Sequence, residues 1–378
     1  MPAPPRLGYP PAMRLRQITL RHFRNVADAT VEFAGRQTFL LGPNAQGKTN
    51  LLEAVGFLTA LRSFRTGDVR LLVARGQPAA SLAFFLEHER QGETQVRIIL
   101  RPEGRELHCD GEKITRLADY LGRFPTVVFS AQDLQLLRGA PALRRRWLDL
   151  TLAAMDSGYL ASLQAFVRAV AARNALLKSG RAAAAELDAF EAALAPAAAD
   201  LVRRRVAGVA ALAVPCGAAY GRVGGGQETA ELIYRPDWVE TEPEAWRRRL
   251  AEGRARDLAF RATLTGPHRD DLELRIGGGA ARDFASEGQQ RSAVLALRLA
   301  QAAWFRERSG VSPIILADDV LGELDPGRRA RFWSALPTES QVIATGTQLP
   351  AVGTGEAGVR WQVLRVCAGA FRPGEEVG

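Results

Sequence analysis

The chain is poor in cysteine and in lysine, and it has no long run of strongly apolar residues. Three cysteines, Cys109, Cys216 and Cys367, are spread over 378 residues. No two have the close spacing of a zinc site, and an odd number suits no closed disulfide framework. A reducing, cytoplasmic compartment is expected. The uncharged run 206–220 is Ala-rich and broken by Pro215. It falls short of the roughly 20 apolar residues of a bilayer span, so no membrane partner is expected. Residues 1–12 carry five prolines and no apolar core, which excludes a secretory signal. They read as a disordered lead-in, with patterning beginning at Met13. No internal repeat is evident.

Of 50 basic residues only Lys48, Lys113 and Lys178 are lysines. None sits in an Asn-Lys-x-Asp base-reading motif, which excludes a typical GTPase. His268-Arg269-Asp270 has no Asn at the spacing of a kinase catalytic loop. Basic residues outnumber acidic ones, for a net charge of +9, a balance that favours a polyanionic partner.

Hydrophobic residues make up 47% of the chain and charged residues 24%, the balance of a globular protein with room for about two domains. Alternation at Leu15, Ile18 and Leu20, then at Val31 and Phe33, reads as strands, and 38–41 as an apolar strand ending in a glycine loop. A helix is expected over 50–61, with Leu51, Val55 and Leu58 on one face. Strands return within 81–110, with a turn near Gly92. From 137 to 259 Ala, Leu and Arg dominate with continuous helical periodicity. Strand pattern resumes at 272–276, a helix near 288 and an apolar strand at 314–316. The expected architecture is a mixed α/β head from both chain ends, 13–136 and 260–378, interrupted by a mostly helical lobe, 137–259.

Gly42-Pro43-Asn44-Ala45-Gln46-Gly47-Lys48-Thr49 fits the phosphate-binding pattern G-x-x-x-x-G-K-[ST]. The glycines let backbone N–H groups face phosphate oxygens. Lys48 is placed to neutralise the β- and γ-phosphates, the Thr49 hydroxyl to ligate Mg²⁺, and the helix N-terminus to add its dipole. With lysine so rare, a chance match is improbable. Ile314-Ile315-Leu316-Ala317-Asp318-Asp319 is a buried strand ending in two carboxylates, where a P-loop enzyme holds its metal. Asp318 is the expected Mg²⁺ ligand and Asp319 the group that polarises the attacking water.

Ser286-Glu287-Gly288-Gln289 opens the helix carrying Val294, Leu295, Leu297 and Leu299. Its plain reading is a capping box. Followed by a helix and the acidic strand, it is ordered as in an ABC-type ATPase, whose signature Ser286, Gly288 and Gln289 would match. The 238 residues from Lys48 to Ser286 are about twice a transporter domain's spacing, and point to an SMC-like head with an insert too short for a long coiled-coil arm.

The ordered motifs resemble the RecF family of bacterial DNA replication and repair proteins across most of 13–378. They are Leu20-Arg21-His22-Phe23-Arg24-Asn25, the P-loop running into Leu51-Leu52-Glu53-Ala54, and Arg62-Ser63-Phe64-Arg65. Phe129-Ser130-Ala131-Gln132-Asp133-Leu134 and Thr265-Gly266-Pro267-His268-Arg269-Asp270-Asp271-Leu272 follow. Gly288-Gln289-Gln290-Arg291 and Asp318-Asp319-Val320-Leu321-Gly322-Glu323-Leu324-Asp325 complete the set.

The resemblance implies an ATP- and Mg²⁺-dependent DNA-binding switch of recombinational repair, replication-fork maintenance and the SOS response. It would be a weak, DNA-stimulated ATPase that recognises double-stranded DNA and single-strand/double-strand junctions. It would form an ATP-dependent homodimer, with Ser286 reaching the partner's ATP, and help RecO and RecR load RecA. Ala45 departs from the family's usual glycine and Ala131-Gln132 from its usual Pro-Glu; Gln132 is a candidate Mg²⁺-sensing residue. Gln341-Val342-Ile343-Ala344-Thr345 lacks the switch histidine of transporters, which suits slow turnover. A transporter-like ATPase subunit and a DNA scaffold with a decayed ATP site are the competing readings. The triplets 144–146, 203–205 and 247–249 read as solvated helix faces or as DNA contacts. Lobe 137–259 has 18 basic and 14 acidic residues, so its charge is not concentrated.

Overall fold

The computed structural model describes residues 13–180, 183–226, 228–320, 324–348 and 361–374. The lead-in 1–12 and Leu321-Gly322-Glu323 of the acidic motif lie outside the described residues. In chain order come β1 (Met13–Phe23), β2 (Val26–Glu32), β3 (Gln37–Leu41) and α1 (Lys48–Ala60). Next are β4 (Ala80–His88), β5 (Gly92–Arg101), β6 (Gly104–Cys109), β7 (Glu112–Lys113) and β8 (Thr126–Ser130). Helices α2 (Gln135–Arg138), α3 (Pro141–Met155), α4 (Ser157–Ser179) and α5 (Ala184–Gly224) lead to β9 (Ala230–Arg235) and α6 (Pro243–Phe260). Then β10 (Asp271–Ile276), β11 (Gly279–Ala280), α7 (Ala281–Phe284) and α8 (Glu287–Ser309) precede β12 (Ile314–Asp318). The chain ends in α9 (Pro326–Ala335), β13 (Val342–Gly346), β14 (Gln362–Cys367) and β15 (Ala370–Pro373).

Two compact units result. The first holds the chain through Asp133, Arg222–Gly226 and the chain from Leu295; the second holds Leu134–Gly221 and the chain up to Val294. In the first unit β2-β1-β4-β5-β6-β7 form an antiparallel sheet, and β15-β14-β3-β13-β12-β8 form a second. The second sheet is parallel except for the edge strand β15. Leu15, Leu82 and Ile98 of the first sheet share one core with α1 and with Leu40, Leu316 and Ile343 of the second. Helix α1 is buried all round from Leu51 to Thr59, beyond the single apolar face that its sequence suggests. Parallel strands buried on both faces read as continuous apolar runs, as 38–41 and 314–317 do.

The second unit is mostly helical but contains a three-stranded sheet, β11-β10-β9. This differs from the expected boundaries in a specific way. β10, assigned from sequence to the head, pairs along its whole length with β9, from Asp271 opposite Arg235 to Ile276 opposite Ala230. The pairing carries 260–294 into the second unit and puts its edge at 294/295 rather than 259/260. Conversely, Arg331 donates to the Val223 carbonyl at 3.1 Å, tying the end of α5 to the first unit. Among the described residues α5 alone is long and apolar enough to cross a membrane. It carries Pro196 and Pro215, and it buries Leu194, Leu201, Val202, Leu212 and Cys216 in the protein.

Candidate nucleotide site

The site is built on the carboxyl ends of three parallel strands. β3 ends at Leu41 and delivers the loop; β12 ends at Asp318 beside Ser130 of β8, and β13 pairs with β3 up to Gly346. Gly42 is required by close approach, since a Cβ there would stand 2.4 Å from the Val366 carbonyl oxygen. Gly47 sits in the left-handed region, φ 113°, and begins α1 with no side-chain cap and no acid in the first turn. The helix therefore keeps unpaired N–H groups and the positive end of its dipole for an anion. Ala45 is also left-handed, φ 64°, which gives the physical reason for a glycine at this position. Gln46 anchors the loop from outside: its carbonyl accepts from Gly369 N–H and its side chain from Ala368 N–H, both at 2.8 Å.

Lys48 is buried, and its Nζ donates to the carbonyls of Gly42 at 2.5 Å and Pro43 at 2.8 Å. Burial lowers its pKa, against the opposing pull of Asp319 and Asp318. Thr49 Oγ1 donates to Asp318 Oδ1 at 2.8 Å. Burial raises the Asp318 pKa, Thr49 and Thr345 oppose that, and neighbouring Asp319 pushes the same way. A cavity is lined by Asn44, Ala45, Gly47, Lys48, Thr49, Gln132, Asp318 and Asp319. An uncapped helix end and Lys48 suit phosphates, and a hydroxyl beside a carboxylate suits Mg²⁺, which prefers hard oxygen ligands and retains water and substrate phosphate. The residues fit both groups.

Thr345 ends the segment 341–345, which holds no histidine. It is buried, and its hydroxyl donates to Asp318 Oδ1 at 3.1 Å while accepting the Asp319 N–H at 3.0 Å. Asp319 has φ 53°. Sequence reasoning located this segment but assigned Thr345 no role, because a hydroxyl among apolar strand residues carries no motif. A second group was visible only as unexplained motif letters. Glu53 is fully buried on α1 and accepts from Arg24, Arg65 and Ser63; Asn50 donates to Asn25 at 2.6 Å.

The remaining expected residues, Ser286, Gly288 and Gln289, belong to the second unit. There Gln289 Oε1 accepts the Ser286 N–H at 2.6 Å and Ser286 Oγ the Gln289 N–H at 3.3 Å, a reciprocal capping box. Of the nine triplet arginines Arg144 and Arg205 are buried, while Arg146, Arg203, Arg247, Arg248 and Arg249 are exposed. Arg205 is buried, donating to the Pro267 carbonyl and Asp270 at 2.6 and 2.7 Å and pairing with Asp149 at 2.9 Å. Arg144 holds Asp271 through two bonds of 2.6 and 2.8 Å. Arg203 and Arg204 pair with Asp200, Arg247 with Glu244, and Arg249 lies over Trp238. Arg144 and Arg205 are thus spent on structure, with Asp271 and Asp270 of the family motif as their acceptors, and the rest of the triplets lie on partly or fully exposed faces.

The family model described as the RecF/RecN/SMC N terminal domain matches residues 14–361. The DNA replication and repair protein RecF of Synechococcus sp. (strain JA-2-3B'a(2-13)) is 40% identical, covering 96% of this chain and 98% of its own. The RecF of Heliobacterium modesticaldum is 37% identical over 96% and 100%. The structure described as the recombination mediator protein RecF-ATP in the RecFOR pathway superposes with a TM-score of 0.87 at 27% identity, over 98% of this chain and 99% of the other. An Smc head bound to the C-winged helix domain of ScpA shares the fold, with a TM-score of 0.55 at 16% identity over 96% and 97%. The fold is thus a mixed α/β ABC-type head with an inserted lobe and, among the described residues, no long coiled coil. The chain belongs to the RecF family of SMC-like ABC ATPases.

Proposed function

We propose that this protein is an ATP-dependent DNA-binding switch of DNA replication and repair. The observation that carries the reading is the Thr49–Asp318 hydrogen bond of 2.8 Å beside buried Lys48, which joins loop and acidic strand into one phosphate and metal site. Its likeness to RecF solved with ATP supports the same ligand, and the names of its relatives support the role in DNA replication and repair. Lys48 and the loop N–H groups hold the triphosphate, Thr49 and Asp318 hold Mg²⁺, and Asp319 orients the attacking water.

ATP then drives dimerisation on DNA, with Ser286, Gly288 and Gln289 of each chain completing the partner's site in a closed two-fold interface. Slow hydrolysis, faster with DNA, removes the group that Ser286 contacts and releases the dimer. In the cytoplasm the dimer helps RecO and RecR load RecA at single-strand gaps, within the SOS response. Calorimetric titration with Mg²⁺ and ATP tests the foundation. Lys48→Ala should weaken ATP binding about tenfold or more, because no other lysine stands nearby to replace a charge-assisted contact. Near-normal binding by that variant overturns the assignment. Sedimentation in ATP and in ADP tests the dimer, and DNA affinity should fall steeply with salt.

A further inference from the structure

We infer that the turn between β14 and β15 is a positioning element of the P-loop, whose Ala368 and Gly369 N–H groups clamp Gln46 and hold the loop in its anion-binding shape before nucleotide arrives. The inference rests on nucleotide binding at the P-loop and gives that site a support from the far end of the chain. Gln46 becomes a positioning residue: the cavity wall takes Asn44, Ala45, Gly47 and Lys48 and omits it.

The sheet brings the turn to the loop. β14 runs parallel to β3, with Arg365 opposite Leu41 at the end of that strand. The chain then continues beside the loop, where the Val366 carbonyl oxygen leaves Gly42 no room for a side chain. Cys367 pairs with Ala370, so Ala368 and Gly369 alone join β14 to β15. Both have positive φ, 48° and 80°, as the type I′ turn of a two-residue hairpin requires. Such a turn leaves its own N–H groups outside the ladder. Here both go to one residue: Ala368 N–H donates to Gln46 Oε1 and Gly369 N–H to the Gln46 carbonyl, each at 2.8 Å.

The second bond sets the direction of the loop. A trans peptide points its C=O and its N–H to opposite sides, so fixing the Gln46 carbonyl on the turn aims the Gly47 N–H away from the turn. Gly47 lines the cavity, and an N–H already fixed in direction meets an anion without first having to reorient. The first bond holds the side chain, so Gln46 cannot rotate out of the clamp. Asn25 closes the third side. Its carbonyl oxygen would lie 2.7 Å from a Cβ at Gly369, and its Oδ1 3.2 Å from one at Gly47. The same Oδ1 accepts from Asn50 of α1 at 2.6 Å. Turn, loop and the start of α1 are therefore wedged against one another.

Hydrogen exchange and calorimetric titration with Mg²⁺ and ATP, both on the full chain, test the clamp. Gln46→Met keeps the length of the side chain and removes the acceptor. It should speed exchange of the Ala368 amide in the nucleotide-free protein and weaken ATP binding about fivefold. Gln46→Glu keeps an acceptor but, like Gln46→Met, gives up the Nε2 donor that reaches the Asn44 carbonyl at 3.4 Å. It should leave Ala368 protected and bind ATP within about twofold of wild type at physiological salt, where a charge off the cavity wall is screened. Unchanged Ala368 exchange in Gln46→Met, wild-type ATP affinity in that variant, or equal losses in both variants overturns the clamp and leaves the P-loop assignment standing. Failure of wild type to bind ATP overturns both.

Discussion

The Thr345 hydroxyl donates to Asp318 Oδ1 at 3.1 Å, so a residue of β13 holds the carboxylate at the end of β12. Thr345 Oγ1 in turn accepts the N–H of Asp319 at 3.0 Å. One buried hydroxyl therefore fixes both the side chain of the first acid and the backbone of the second. Asp319 needs that support, because its φ of 53° lies where non-glycine residues are strained.

Replacing Thr345 by Val keeps the shape but strands the Asp319 N–H and leaves the Asp318 carboxylate held by Thr49 alone. The Asp319 bond is part-buried, and the net loss of such a hydrogen bond is about 0.5–1.5 kcal/mol, so urea unfolding should register a loss of that order. ATP affinity should change little while the ATPase rate falls, since Lys48 and the loop are untouched. Thr345→Ser should restore both. A Val variant with a wild-type rate would show that Asp319 holds its position without this bond.

Ala45 predicts a gain. At φ 64° a Cβ costs roughly 1–2 kcal/mol, part of which glycine returns through the greater entropy of its unfolded chain. Ala45→Gly should therefore stabilise the protein by about 0.5 kcal/mol in urea unfolding. The loop N–H groups keep their directions, so calorimetry should find ATP affinity within about twofold of wild type.

His268 sets a pH dependence in the second unit. Its Nε2 bonds to the Thr263 carbonyl at 2.8 Å and its ring stacks on Phe166, while its buried Nδ1 has no hydrogen-bond partner. Burial lowers its pKa; Arg269 and Arg145 push the same way, and the Thr263 bond and Asp237 oppose. The folded state thus binds the proton less readily than the unfolded chain, whose value is 6.5. Its contribution to stability is complete above that value and is lost as pH falls through the lower folded value. Urea midpoints should drop between pH 7.5 and pH 5.5. His268→Gln, which can still donate to Thr263 but cannot take a proton, should drop less. An equal drop would assign the slope to other groups.

Local chemistry was legible along the chain. The loop 42–49, the apolar strand ending in Asp318-Asp319 and the helix start at Ser286 are contiguous, and each meets its physical requirement within a few residues. A left-handed glycine, a buried strand and a capping box are all written in neighbouring side chains. The strands and helices followed for the same reason, since burial periodicity is a local signal. The relationships that complete the site are not local. Thr345 meets Asp318 across two parallel strands, and Arg24 meets Glu53 across 29 residues. Gln46 bonds the backbone at Ala368, 322 residues away.

The unit boundary belongs with these long-range features. The pattern at 272–276 announces a strand, but only its pairing with Ala230–Arg235 decides which unit it joins. Alternating burial gives a strand its faces and leaves its neighbour open, because any strand edge offers the same N–H and C=O groups. The arginine triplets make the same point with charge. Arg203, Arg204 and Arg205 are consecutive and chemically identical, yet Arg205 alone is buried, against Asp149 and Asp270. Composition could place a positive charge at each of the three positions, and only the packing of α5 against its neighbours determined which one would lose its water.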